Sequence, residues 1–129
     1  MSEAAPEEPR GELTTSTMAM PKDTNPSGDI FGGWLMSQMD IVGGVTARAH
    51  GRVATVAVTG FTFHRAVLVG DVVCCYADIQ KVGTTSITIG VEAWVLRPQE
   101  SKDHFKVTEG VFTFVALDET GKKCPVPPE

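Results

Sequence analysis

The stretch IFGGWLMSQMDIVGGVTARA at residues 30–49 decides the fold. It is the one good helix candidate in the sequence. Ile30, Trp34, Met39, Ile41, Val42 and Val45 cover most of a helical circumference. A helix that is apolar nearly all round is buried rather than laid on a surface. Gly43 and Gly44 weaken it, which is tolerated where close packing against a sheet needs the room. Ser27 or Asp29 is placed to cap its start, and His50-Gly51 to end it. One side chain breaks the pattern. Asp40 is the only charged residue between Asp29 and Arg48.

Outward from this segment the rest reads as strands and turns. Residues 13–20 alternate weakly and make a first strand. Residues 21–29 are a loop, marked by Pro21, Asn25, Pro26 and Gly28. After the helix, residues 52–63 are rich in Val, Thr and Phe, and residues 72–82 form a second run beyond a turn at Val69-Gly70-Asp71. Val82-Gly83-Thr84 is a hairpin-type break. Then Ile87, Ile89, Val91, Ala93 and Val95 alternate with Thr88, Gly90, Glu92 and Trp94, the pattern of a half-buried strand. Residues 98–103 read as a loop, and residues 105–117 as a last strand with Phe112, Phe114 and Ala116 on one face. Residues 1–11 have the composition of a disordered tail. Residues 119–129 read as a Pro-containing C-terminal tail, leaving 12–118 as one domain. One helix cannot cover both faces of a sheet. A curved antiparallel sheet wrapped around one long central helix buries it best, an α+β arrangement. Sheet edges and an uncovered face remain, which points to a homo-oligomer.

Composition limits the function. The 129 residues are 42% hydrophobic and 21% charged, as in a globular domain. A net charge of −5 argues against a nucleic-acid surface. The low-charge stretch 30–47 contains Gly32, Gly33, Gln38, Asp40, Gly43 and Gly44, and makes a poor membrane span. The acidic, Pro/Ala-rich start does not read as a signal peptide, so a cytoplasmic location is expected. Cys74 and Cys75 are adjacent and point to opposite faces of a strand. Neither they nor His50, His64 and His104 have metal-ligand spacing, and no metal is expected.

Three features bear on chemistry. Asp40 sits mid-helix, and a buried carboxylate is costly unless it is paired, hydrogen-bonded or useful. The run Gly28-Asp29-Ile30-Phe31-Gly32-Gly33 places glycines at a helix start, where backbone N–H groups have no internal partner. Such donors suit a thioester carbonyl oxygen as it gains charge. Asn25 lies in the loop before them, where asparagine is ordinarily a turn former. Ser37 has no nucleophile-elbow context, and GDIFGG lacks the Lys-Ser/Thr ending of a phosphate loop. Arg52, His64, Arg65, Lys81 and Arg97 are either contacts to a phosphorylated ligand or solvated charges.

The sequence resembles the YciA-like acyl-CoA thioesterases of the hotdog superfamily. The likeness runs through Met18-Ala19-Met20-Pro21, Asn25, and residues 28–40 (GDIFGGWLMSQMD). It continues through residues 51–58 (GRVATVAV), 69–76 (VGDVVCCY), 81–86 (KVGTTS) and 112–118 (FTFVALD). The resemblance implies the hotdog fold and hydrolysis of acyl-CoA thioesters to free acid and CoA. It implies dimers with a continuous sheet, assembled as a trimer of dimers with active sites between subunits. It makes Asp40 the catalytic carboxylate and Asn25 the partner contributed by the other subunit. CoA, a part of the substrate rather than a cofactor, is expected along Val56, Ala57 and Val58 and at the Thr85-Ser86 hairpin. The chain departs from these proteins at His64-Arg65-Ala66, where a Lys-Pro pair is common: basic character is kept and the rigid turn is not. Two rival readings are a non-catalytic acyl-CoA or lipid-binding module and a hotdog dehydratase. The second would call for a histidine in the helix region, and none lies between Phe31 and Ala49.

Overall fold

The computed structural model of the chain describes residues 8–97 and 104–127. Its elements are strand β1 (Glu12–Met18), helix α1 (Gly32–Ala47), and strands β2 (Val53–Phe63), β3 (Val72–Val82), β4 (Ser86–Leu96) and β5 (His104–Ala116). Short 3-10 turns at Pro21–Asp23 and Arg48–His50 flank the helical segment. The strands make one five-stranded sheet in the order β1-β3-β4-β5-β2, and every pair is antiparallel. The expected loop at 98–103 and the first seven residues of the expected N-terminal tail lie outside the described residues.

The helix starts two residues later than the sequence suggested. Ile30 is still extended, bridging to Thr24 and donating its N–H to the Val67 carbonyl at 3.0 Å. Phe31 donates to the Asp23 carbonyl at 3.1 Å and occupies the N-cap position. Neither Ser27 nor Asp29 caps the helix, because the chain is held as an extended segment past both of them. At the other end Gly51 takes a φ of +105°, a conformation that other residues rarely adopt.

The helix lies on one face of the sheet. Leu35, Met39, Val42 and Ala47 pack with Val73, Cys75, Ile87, Ile89, Val91, Phe112 and Phe114 in a single apolar core. Gly43 is where the helix comes nearest: a Cβ there would stand 2.8 Å from the Phe114 ring. The expectation of a helix buried all round is corrected. Ile41 and Val45 are 55% and 56% exposed, so a single chain covers only part of the circumference. The alternation along β4 is also less simple than it read. Glu92 and Trp94, on the side away from the helix, are buried, and the Trp94 indole N–H donates to Glu92 Oε1 at 2.9 Å. A bulge between Ala93 and Trp94 re-aims the strand there. Cys75 faces the core, where burial pushes its thiol up to about 12, and Cys74 is half-buried beside Ser16. In a single chain β1 and β2 are the two edges of the sheet.

Candidate active site

Asp40 sits in the middle of α1, half-buried, on the side that meets β2. Its Oδ1 accepts a 2.7 Å hydrogen bond from the Thr55 hydroxyl. The next residue, Val56, is an extra residue in the pairing of β2 with β5: Thr55 faces Phe114 and Ala57 faces Thr113. A bulge breaks the ladder locally and turns side chains and backbone groups away from the sheet. Val56 is accordingly 52% exposed, Ala57 is exposed and Val58 is half-buried. One carboxylate, held by one hydroxyl, therefore borders an open stretch of edge strand. Thr55 was not singled out from sequence, since a threonine in a Val/Thr-rich strand carries no local signal.

The start of the helix makes a second cluster. Trp34 and Leu35 donate their N–H groups to the Phe31 carbonyl at 3.1 and 3.5 Å. The N–H groups of Gly32 and Gly33 precede them and have no backbone acceptor among the described residues. A Cβ at Gly32 would stand 2.9 Å from the Phe63 ring, so the glycine lets that ring close over the helix start. Beside it runs a groove of about 490 Å³ lined by Ile30, Leu35, Phe63, His64, Arg65 and Val67 among others. The segment His64-Arg65-Ala66 is fixed without a proline. His64 N–H donates to the Val107 carbonyl at 2.7 Å, and the Arg65 guanidinium stands 3.9 Å over the Phe105 ring.

Asn25 belongs to the loop that feeds the helix. Its Oδ1 accepts from the N–H groups of Ser27 and Asp29 at 2.9 and 3.1 Å, the turn-forming role expected of a loop asparagine. The carboxamide Nδ2 has no partner among the described residues. Thr85 and Ser86 lie elsewhere, at the β3–β4 hairpin. Gly83 N–H donates to the Ser86 carbonyl at 2.7 Å, and Ala116 N–H to the Thr85 carbonyl at 3.0 Å. Asp40 and residues 55–58 are thus brought together inside one chain, as are the glycines and their groove. Asp40 and Gly33 are not. They are seven residues apart, about 10 Å along a helix.

Of the cations weighed from sequence, Arg97 is not available to a ligand. It is buried and gives Asp71 a two-pronged bond, Nε to Oδ1 at 2.9 Å and Nη2 to Oδ2 at 2.7 Å. His64 Nε2 lies 2.7 Å from Glu109, and this hydrogen bond holds the Glu109 carboxyl below its ordinary range. Arg52 lines a second cavity of about 440 Å³ with Arg48, Ile41, Gly44, Val45 and Val53.

Comparison with known proteins agrees with this architecture. The Thioesterase superfamily matches residues 27–102. The acyl-CoA thioester hydrolase YciA of Salmonella typhimurium is 57% identical over 123 residues, 92% of this chain and 92% of the relative. The crystal structure of HI0827, a hexameric broad specificity acyl-coenzyme A thioesterase, is 50% identical, with a TM-score of 0.88 over 95% of this chain and 86% of that one. The hexameric thioesterase y2039 of Yersinia pestis is 53% identical, with a TM-score of 0.87 over 95% of this chain and 100% of that one. The chain belongs to the thioesterase superfamily and has its hotdog fold. Within it, the similarity lies with the YciA acyl-CoA thioester hydrolases.

Proposed function

We propose that this protein hydrolyses acyl-CoA thioesters, using Asp40 as the catalytic carboxylate. The observation that carries the reading is the Asp40–Thr55 pair beside the bulged, open edge of β2. An ionised carboxylate there either takes a proton from water as it attacks the carbonyl carbon or attacks that carbon itself. In the first route the C–S bond breaks as the new C–O bond to water forms, and the proton taken by Asp40 passes to the departing sulfur. In the second, CoA leaves as the acyl group joins Asp40 in a mixed anhydride, which water then hydrolyses to the free acid, its other proton going to the CoA sulfur. The N–H of Gly33, or of Gly32, polarises the carbonyl oxygen as charge builds on it. CoA lies along Val56, Ala57 and Val58 and against the Thr85-Ser86 hairpin. It enters and leaves within substrate and product, and the scheme calls for no separate cofactor.

The roughly 10 Å between Asp40 and Gly33 along the helix is too far for both to touch one carbonyl. A site made between two subunits removes the difficulty. The helix start and Asn25 of one chain then face Asp40 of the other, with the Asn25 Nδ2 free to orient water or substrate. The open β2 edge and the exposed Ile41 and Val45 leave a surface for a second copy to cover, and the hexameric relatives support a trimer of dimers. No described helix is long and apolar enough to cross a membrane. The free cysteines Cys74, Cys75 and Cys124 support a reducing, cytoplasmic setting.

Steady-state hydrolysis across a series of acyl-CoA chain lengths tests the activity, and thioester cleavage no faster than in buffer would remove it. The shared site is tested by mixing Asp40→Asn with Asn25→Ala protein. Hybrid dimers rebuild one intact site, so activity returns on mixing. No recovery despite proven subunit exchange means that each subunit works alone.

A further inference from the structure

The last described residues are tied to the hairpin on which CoA is proposed to lie. After β5, residues 118–122 turn back on themselves, with Asp118 N–H donating to the Lys122 carbonyl at 2.8 Å. The chain then runs antiparallel to the strand it has just left. Leu117 bridges to Lys123, and Cys124 N–H donates to the Ala116 carbonyl at 3.0 Å. Val126 N–H then donates to the Thr84 carbonyl at 2.7 Å, while the Val126 side chain packs against the core. Pro127 completes the crossing. Its ring lies 3.5 Å from the place a Cβ would occupy on Gly51, and its carbonyl is 3.5 Å from His50 Nδ1.

These links join three pieces that are distant in sequence: the β3–β4 hairpin, the end of β5, and the turn after the helix. The same row continues to the residue just before β2, because Leu117 N–H donates to the Arg52 carbonyl at 2.9 Å. A two-stranded hairpin tip is among the weaker parts of a sheet. A segment bonded across it removes freedom that a ligand would otherwise have to remove on binding. We propose that residues 124–127 are a positioning segment for the CoA half of the substrate: they hold Thr85 and Ser86 ready for it and touch neither the thioester nor Asp40. The proposal rests on the assignment of CoA to that hairpin.

The test compares Val126→Pro, which deletes the one N–H bonded to Thr84, with the wild type. The substrates are an acyl-CoA and the same acyl group on N-acetylcysteamine, a thioester with no nucleotide. The variant raises KM for acyl-CoA and Kd for CoA roughly fivefold, the size of one net hydrogen bond. Its kcat on acyl-CoA and its kcat/KM on the short thioester stay within about twofold. Pro127→Gly loosens the same crossing without removing a hydrogen-bond donor, and gives a smaller shift in the same direction if the proline variant does not fold. Equal losses on both substrates overturn the proposal, since the segment would then be stability alone. So does an unchanged CoA Kd in a variant series where Thr85→Ala with Ser86→Ala weakens CoA. If that double variant also leaves CoA affinity unchanged, the hairpin is not the CoA site, and the proposal falls with it.

Discussion

Asp40 and Asp71 make an instructive pair. Asp71 is 2% exposed, receives two bonds from Arg97, and accepts the Leu68 N–H at 2.8 Å. Arg97 also donates to the Ala66 carbonyl at 3.1 Å, so the pair stakes the loop that follows β2. Its charge is fully matched and sealed. Asp40 is half-buried, its side-chain bond among the described residues comes from the neutral Thr55 hydroxyl, and it faces an edge strand that is paired on one side only within the chain. The matched carboxylate serves the fold. The under-matched one retains the capacity to accept a proton or attack a carbon. In sequence Asp40 stands out as a lone charge in an apolar helix, while Asp71 sits in what reads as an ordinary turn.

The sharpest break of this comparison is Asp40→Asn. It removes the ionised carboxylate at little cost to packing, so kcat falls by roughly 10²–10⁴-fold while CoA affinity and the melting temperature hold. Wild-type turnover in that variant would end the proposed mechanism. Arg97→Met gives the opposite signature. It leaves Asp71 buried without its cation, costing about 3–5 kcal/mol in a urea unfolding curve. Turnover per folded molecule drops far less than for Asp40→Asn. Adding Asp71→Leu to Arg97→Met recovers much of the lost stability, because an apolar pair carries no unpaired charge.

Two smaller effects sharpen the contrast. Thr55→Val keeps the shape of the side chain and deletes the hydrogen bond to Asp40. Turnover falls roughly fivefold, in line with the net worth of one such bond, and stability barely moves because Thr55 is exposed. The smallest effect is at Glu109, whose carboxyl is lowered first by its His64 hydrogen bond. A carboxyl that is lower in the folded state stabilises above its unfolded pKa, and this contribution is lost as pH falls through the folded one. Both partners are well exposed, so the contribution lies within about 0–1 kcal/mol. Comparing unfolding midpoints of His64→Gln and wild type across the acid limb checks the sign: the difference between them shrinks as pH falls.

Much of the fold is legible along the chain because alternation and helical patterning are local. The run at 72–82 is β3 at both ends, and the other strands fall within two residues of expectation. Gly43 was readable as a point of close packing, and the Phe114 ring is what it meets. The helix start was misplaced because bonds from Ile30 to Val67 and from Phe31 to Asp23 come from outside the segment. Local capping signals at Ser27 and Asp29 could not report them.

The candidate site divides the same way. By itself the sequence determined that Asp40 is the anomalous charge, that glycines open the helix, and that an asparagine precedes them, since each is a matter of residue type and position. Only the tertiary structure decided which aspartate is matched by an arginine, which threonine bonds Asp40, and where a bulge opens the edge strand. It also decided that the C-terminal segment crosses the hairpin and the turn after the helix. The reason is physical. Such pairings join residues 15 to 77 positions apart, far beyond the reach of any periodicity. They exist only once the sheet has set its register.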